Sequence, residues 1–535
     1  MARLFLKEAA LLFIFWAIYK QFQNWLRWRA LKQFGAKYGC GAAPAIPNKL
    51  PGGLERYAIL FTGFKGMDFL EDMIRARFTE MGCNTYRIFG LFNSSIVTTA
   101  EPENIQAILG TKFHDFDLGP SRRENFHDML GNGIFTAEGE AWARYRSQLK
   151  PQFTRDQVSD LETADRHLQA LFKALPQQNT DGWIESVDIQ PYLYRFTMDA
   201  STEFLFGESF QDSSKTRKVQ GDMDFAEAIT YAQEYLFWRI RLRGLYWLAK
   251  SKRFKYACKV VKDFGDVYVR KALDPNYKRA SVGSGQKEKF VMLDAMVAET
   301  RDPVELRDQI LHLLLAGRDT TSALLSWTIL LLARNPEEFE KLRDVVIDTF
   351  GTEEEPKQKL TFTSLKACKA ITYVLYEAMR LYPLLPINGR VALRDTVLPT
   401  GGGPDRKQPL AIMKGEQVGY SIYVMHRRAD IWGEDADEFV PKRWEGRKLG
   451  WEYLPFSGGP RVCLGREYSL EKMWSFADEL EQYALNEASF VVVSILRRFD
   501  KIEALHKGPV RKSLSLTLSP MDGVKVKMHR AVASS

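Results

Sequence analysis

Apolar and polar positions follow three rhythms along this chain. Over 9–19 the pattern is flat: 11 consecutive apolar residues, with Lys7-Glu8 before them and Lys20 after. A membrane-spanning helix needs about 20 such residues. The span from Leu4 to Leu26 reaches that length only across charged and polar interruptions. Lys20, Arg27, Arg29, Lys32 and Lys37 form a basic flank that stays cytosolic, and Trp25 and Trp28 suit a membrane interface. No small-residue cleavage site follows, so the pattern predicts an uncleaved membrane anchor over 1–38. The alternative is a helix lying on the bilayer surface. Gly39-Cys40-Gly41 with Pro44, Pro47 and Pro51 then predicts a stiff linker, leaving 39–535 as one domain.

The second rhythm is that of strands. Residues 85–99 (TYRIFGLFNSSIVTT) are rich in β-branched and aromatic side chains around a polar turn and predict a hairpin. Pro102 opens a short helix after it. The third rhythm is helical and dominates. Residues 131–153 pass through a glycine turn into a helix stopped by Pro151, with Trp142 and Arg146 four apart on one face. Residues 192–269 read as mostly helical and unusually aromatic, and 274–286 as a polar loop. From Asp302 to Asn335-Pro336 runs the longest helix. Asp302 is its N-cap, Pro303 its first residue and Glu305 the partner in a capping box. Its 32 or so residues over 303–334 would span about 48 Å. Gly317 in so apolar a helix costs up to about 1 kcal/mol, which implies a close approach by another element. Thr320 can bond back to the preceding turn and open a local groove. The fold class this predicts is mainly α with small β-sheets.

Charge alters the picture modestly. With 75 basic and 67 acidic residues the chain carries a formal +8, suited to an anionic membrane surface or an acidic protein partner. The charge is not gathered into basic runs, which excludes a nucleic-acid binder. Cys40, Cys83, Cys258, Cys368 and Cys463 are scattered and odd in number, excluding a disulfide framework and a zinc site.

One of those cysteines sits in unusual company. Phe456-Ser457-Gly458-Gly459-Pro460-Arg461-Val462-Cys463-Leu464-Gly465 places it between glycines, two residues after an arginine and behind an aromatic. Glycines let a backbone approach a flat ligand, a thiolate is a strongly donating axial ligand for haem iron, and an arginine can pair with a propionate. The stretch resembles the haem-ligand loop of the cytochrome P-450 family, F-x-x-G-x-R-x-C-x-G, at every fixed position. Ala316-Gly317-Arg318-Asp319-Thr320-Thr321 resembles the family's oxygen-activation motif, Glu377-x-x-Arg380 its E-x-x-R, and Phe439-x-Pro441-x-Arg443-Trp444 its F-x-P-x-R-W segment.

That resemblance implies haem b between the long helix and a proximal helix after Cys463, with Cys463 the axial iron ligand. By it, Thr320 and Asp319 handle the protons of oxygen activation, and Trp142, Arg146, Arg390 and Arg461 hold the propionates. Phe456 and Gly465 shape the ligand loop, and Glu377, Arg380 and Arg443 form a structural salt-bridge network. It also implies monooxygenase activity, electrons from an NADPH-cytochrome P-450 reductase, and a single anchor in the endoplasmic reticulum membrane with the catalytic domain cytosolic. The stretches 315–321, 398–405, 415–420 and 425–428 are similar to the fungal n-alkane and fatty-acid hydroxylase group. A long-chain hydrophobic substrate follows, with oxidation of secondary metabolites or xenobiotics as the alternative. A haem-thiolate isomerase or peroxygenase is a further alternative, against which intact Asp319-Thr320 counts.

One stretch breaks the pattern. The family's proximal helix follows the cysteine loop directly, yet here 467–481 intervenes before Gln482-Tyr483-Ala484-Leu485-Asn486-Glu487-Ala488-Ser489. Its Leu470, Met473, Trp474, Ala477 and Leu480 have helical spacing, and a helical insertion would displace the normal packing face by about 22 Å. Removing it restores the family spacing, which a segment translated from a retained in-frame intron would explain. A catalytically silent haem protein is the alternative if the segment is native.

Overall fold

The long apolar stripe folds as one unbroken helix, Pro303–Arg334, of 32 residues. The structure is a computed structural model that describes residues 2–50, 67–90, 94–153, 161–210, 223–242, 246–247, 249–277, 290–464 and 483–531. Asp302 caps the helix as expected, its carboxylate accepting from the N–H groups of Val304 (2.8 Å) and Glu305 (3.3 Å). The capping box does not close. The Asp302 N–H donates to Thr300 Oγ1 (3.3 Å) instead, and Glu305 turns to Arg144 at 3.4 Å.

The chain divides into two compact units. The first comprises Met1–Gly119, Pro386–Gly433 and Gly450–Val462. At its centre is a six-stranded sheet in the order Ala45–Ile46, Thr85–Phe89, Ser95–Thr99, Gln417–Ser421, Ile387–Ala392, Phe116–Asp117. The predicted hairpin is its middle, antiparallel with Thr85 opposite Thr99 and Phe89 opposite Ser95. Pro102–Gln106 forms the short helix that follows. The expected linker is partly sheet: Ala45–Ile46 pairs parallel with Thr85–Phe89, and Gly41 bridges to Leu410.

The N-terminal helix, Ala2–Lys37, docks on this unit by its last third. Leu31 is buried there, Trp28 packs 5.5 Å from Phe89, and the Arg87 guanidinium lies 4.9 Å over Trp28. Arg87 is itself held by Glu416 at 2.9 Å. Toward the N-terminus, Leu11, Leu12, Ile14, Phe15, Trp16, Ile18, Phe22 and Leu26 are exposed. The expectation of a spanning helix is not met: among the described residues no helix is long and apolar enough to cross a membrane. Lys20, Gln21, Gln23, Asn24 and Arg27 cut the apolar run short.

The second unit comprises Pro120–Leu385, Glu434–Leu449 and Cys463–Ser535. Pro303–Arg334 is its axis, packed by Gln190–Phe206, Lys252–Leu273, Lys369–Leu381 and Tyr483–Arg498. Trp327, fully buried near the end of the long helix, stacks on Tyr382 with ring centroids 3.7 Å apart and donates to the Leu518 carbonyl at 2.8 Å. The helices expected over 131–153 and 192–269 appear as Gly139–Leu149, Gln190–Phe206, Phe225–Arg241 and Lys252–Leu273. The end of the polar loop over 274–286, the ligand-loop Gly465 and the 467–481 stretch lie outside the described residues.

Candidate active site

Gly317 behaves as its cost implied. A Cβ built there would meet Ser201 Oγ at 2.9 Å, so the neighbouring Gln190–Phe206 helix needs the missing side chain. One turn on, the Thr320 hydroxyl donates to the Ala316 carbonyl at 2.7 Å. That carbonyl is also an acceptor for the helix ladder, so sharing it loosens the turn around Ala316 and Gly317, both half-buried.

Asp319 is buried, and its carboxylate accepts from Arg318 Nη1 (2.8 Å) and Gln233 Nε2 (2.6 Å). Burial pushes its pKa up, while Arg318 and Gln233 oppose the rise by favouring the charged form. A carboxyl held between those pulls is suited to giving and taking a proton. Gln233 carries no sequence signal for this role, being one polar residue on the aromatic Phe225–Arg241 helix.

Glu377 is the hub of the third motif. Its two oxygens accept from Arg380 Nη2 (2.8 Å) and Nε (2.9 Å), Arg443 Nε (2.9 Å), the Val440 N–H (2.9 Å) and Trp444 Nε1 (3.0 Å). Arg380 spends its remaining fork on the carbonyls of Ala436 (2.5 Å) and Glu438 (3.0 Å), and Arg443 pairs with Asp435 (3.0 Å). Glu377, Arg380 and Arg443 are thus brought together as expected.

Around the cysteine, Trp142 is buried and the Arg146 guanidinium lies 5.8 Å from its ring. Burial lowers the Arg146 pKa, and the charge of Cys463 raises it again, so the arginine and the thiol sense each other. In the first unit, Arg461 pairs with Asp117 at 2.8 Å, a partner the sequence did not suggest. Arg390 is buried on Ile387–Ala392, the strand that pairs with Phe116–Asp117, and donates to its neighbour Gly389's carbonyl at 2.9 Å. Phe456 is half-buried. Gly459 has φ +67°, and a Cβ there would fall 1.7 Å from the Leu109 carbonyl oxygen. Its smallness is therefore already required by protein backbone, a cause the flat-ligand argument had not considered.

The donor set fits a haem thiolate. Cys83, Cys258 and Cys368 are buried, and desolvation raises their thiol pKa values, that of Cys258 to about 12. Cys40 is half-buried with its thiol shifted the same way. Cys463 alone of the five is exposed, and Arg146 senses its charge, whereas at Cys83 and Cys258 burial outweighs the nearby arginines.

The mainly helical fold with small sheets is that of a known class of oxygen-using enzymes, and the cytochrome P450 profile matches residues 51–476. The chain belongs to the cytochrome P450 family. It is 46% identical over 501 residues to cytochrome P450 monooxygenase g430 of Fusarium sp, covering 91% of this chain and 84% of that one. It is 42% identical to cytochrome P450 52A4 of Candida maltosa, covering 83% of this chain and 80% of the relative. To cytochrome P450 52A13 of Debaryomyces hansenii it is also 42% identical, covering 81% of each. It is accordingly a monooxygenase, an oxidoreductase that incorporates oxygen into a hydrophobic substrate with a haem cofactor and electrons from a redox partner.

Proposed function

We propose that the protein hydroxylates long alkyl chains at or near the terminal carbon, as a membrane-bound enzyme of the endoplasmic reticulum served by an NADPH-cytochrome P450 reductase. The likeness of 315–321, 398–405, 415–420 and 425–428 to the fungal alkane and fatty-acid hydroxylases carries the substrate reading. Such a chain would bind by apolar area, at about 25 cal/mol per Å². The exposed apolar side chains of Ala2–Lys37 support the membrane, because lipid covers a surface that water would not.

Cys463 would ligate the iron, and Trp142, Arg146, Arg390 and Arg461 would hold the propionates. When bound, haem supplies the activation of dioxygen, and thiolate donation favours cleavage of the O–O bond. The rest of the task falls to side chains. Asp319, hydrogen-bonded by Arg318 and Gln233, holds the proton inside the helix core. The Thr320 hydroxyl, resting on the Ala316 carbonyl, passes it on. Buried leucines keep bulk water from the helix before Thr320.

The test is a spectral titration with fatty acids and n-alkanes of graded length, alongside the reduced carbon-monoxide spectrum of wild type and Cys463→Ser. Wild type should show the thiolate-type Soret band and a substrate-induced spin shift that strengthens with chain length, and Cys463→Ser should lose the band. A graded series that leaves the spectrum unmoved rejects the substrate, and a thiolate band that survives in Cys463→Ser rejects the ligand.

A second reading, a haem protein without turnover, is favoured by 467–481. The family match stops at residue 476, inside that stretch and short of the Tyr483–Arg498 helix. Sequencing the mature message separates the two: a dominant message encoding the segment supports the silent protein, and one lacking it supports the hydroxylase.

A further inference from the structure

The loop over 131–137 is clamped to the long helix by two side chains one turn apart. Asp308 accepts from the Asn132 N–H at 2.8 Å, and His312 Nδ1 accepts from the Phe135 N–H at 3.1 Å. The Phe135 ring lies nearly flat on the imidazole, centroids 5.3 Å apart and planes 22° off parallel. The Phe135 carbonyl is held as well, by Arg122 Nε at 3.2 Å. Thr136 Oγ1 ties the turn internally, accepting from the Gly133 N–H at 2.9 Å and donating to the Gly131 carbonyl at 3.1 Å.

Both glycines of the turn exist because of the two clamps. Gly131 has φ +68°, and a Cβ on it would meet Asp308 Oδ2 at 2.0 Å. A Cβ on Gly133 would meet the His312 ring at 2.8 Å. Residues 308, 312, 316 and 320 follow one another at four-residue steps, so His312 is the helical neighbour of Ala316, whose carbonyl takes the Thr320 hydroxyl. The clamp thus fixes Ile134 and Phe135 one turn before the Ala316 carbonyl that takes the Thr320 hydroxyl.

We propose that His312, seconded by Asp308, is a positioning residue that holds loop 131–137 beside the Ala316–Thr320 turn and so sets which carbon of a bound chain is oxidised. The imidazole acts as a neutral acceptor. It is fully buried, and burial together with Arg122 drives its pKa down to about 3, so Nδ1 keeps its lone pair for Phe135. The selectivity half of this inference rests on the long-chain reading above. The clamp half does not.

The experiment compares full-length haem-loaded wild type with His312→Leu, His312→Gln, His312→Ala, Gly133→Ala and the pair His312→Ala/Gly133→Ala. Amide exchange of peptides covering 131–137 is the first readout, and dodecanoate product positions with KM and kcat are the second. His312→Leu should speed exchange at Phe135 roughly tenfold, and His312→Gln, which keeps an acceptor, should recover part of it. Gly133→Ala should mimic His312→Leu alone, yet add nothing once His312 is alanine, since its clash is with the ring. His312→Leu should raise KM for dodecanoate several-fold more than it lowers kcat and spread the products along the chain, with the thiolate spectrum unchanged. Unchanged exchange, or a Gly133→Ala effect that persists without the ring, overturns the clamp. Faster exchange with unchanged product positions overturns the selectivity role. If wild type ignores dodecanoate, the long-chain reading and the selectivity role fail together, and the exchange data still decide the clamp.

Discussion

Replacing Glu377 with glutamine removes one charge and no volume. Five N–H groups converge on this fully buried carboxylate, three on one oxygen and two on the other. Glutamine offers one oxygen. Whichever way its amide turns, an NH₂ group faces at least two N–H donors; the buried Arg380 guanidinium loses its counter-charge, while Arg443 keeps Asp435. Summing five charge-assisted bonds would overstate the loss, because neighbours relax. Breaking a buried ion pair from one side typically costs about 3–5 kcal/mol. With an unfolding entropy of roughly 2 cal/mol/K per residue, 535 residues carry about 1.1 kcal/mol/K, so the midpoint should fall by about 3–5 °C. Scanning calorimetry of the haem-loaded protein measures this. Arg443→Lys keeps the charge but loses the fork that reaches both Glu377 and Asp435, and should fall between wild type and Glu377→Gln. A Glu377→Gln midpoint within about 1 °C of wild type would refute the view that this network is held together by the carboxylate's charge.

Three further outcomes follow from the same geometry. Thr320→Ala removes the hydroxyl that leans on Ala316 together with one methyl group; the thiolate spectrum should persist while hydrogen peroxide formed per electron pair consumed rises several-fold, and full coupling would reject the proton role. Gln233→Leu deletes a hydrogen bond that favours ionised Asp319, so its already raised pKa should climb further; the acidic limb of the pH profile for coupled turnover should move to higher pH, and an unmoved limb would detach Asp319 from turnover. Glu487 is buried, and desolvation pushes its carboxyl up to about 7 from 4.5. The folded chain then keeps a proton that the unfolded chain releases, giving stability that is complete below pH 4.5 and lost as pH rises through 7. Glu487→Gln should flatten that decline, gaining up to about 3 kcal/mol on the alkaline side and nothing in acid, as denaturant titrations across the window would show.

How much of this could be read from residues alone depended on how far apart the interacting groups lie in the chain. The long helix was legible to its last residue because its signals are local: Asp302 and Pro303 at one end, Asn335-Pro336 at the other, and an apolar stripe between. The hairpin was legible for the same reason. The Glu377 hub was half legible: a carboxylate and Arg380 at i,i+3 are on the page of the sequence, whereas the donation from Trp444 crosses 67 positions. The six-stranded sheet was not legible, since its strands come from 45–46, 85–99, 116–117, 387–392 and 417–421 and no periodicity says which edges meet.

The same rule separates what was found in the site from what was missed. Thr320 and Asp319 announced themselves through a run of six residues, but Gln233 lies 86 positions from Asp319 and Asp117 lies 344 from Arg461. Both are polar partners of charges already identified, and burial decides that such partners exist. Asp319 could not stay in the core of an apolar helix without donors, so a donor on a facing element was required even though its identity was not. The turn at 131–137 applies this in reverse. Asp308 and His312 are polar residues one turn apart on that same apolar helix, and Gly131-x-Gly133 is a turn with two side chains missing. Each is odd alone. Together they specify a contact, because a buried acceptor needs an N–H and a glycine lets one come close.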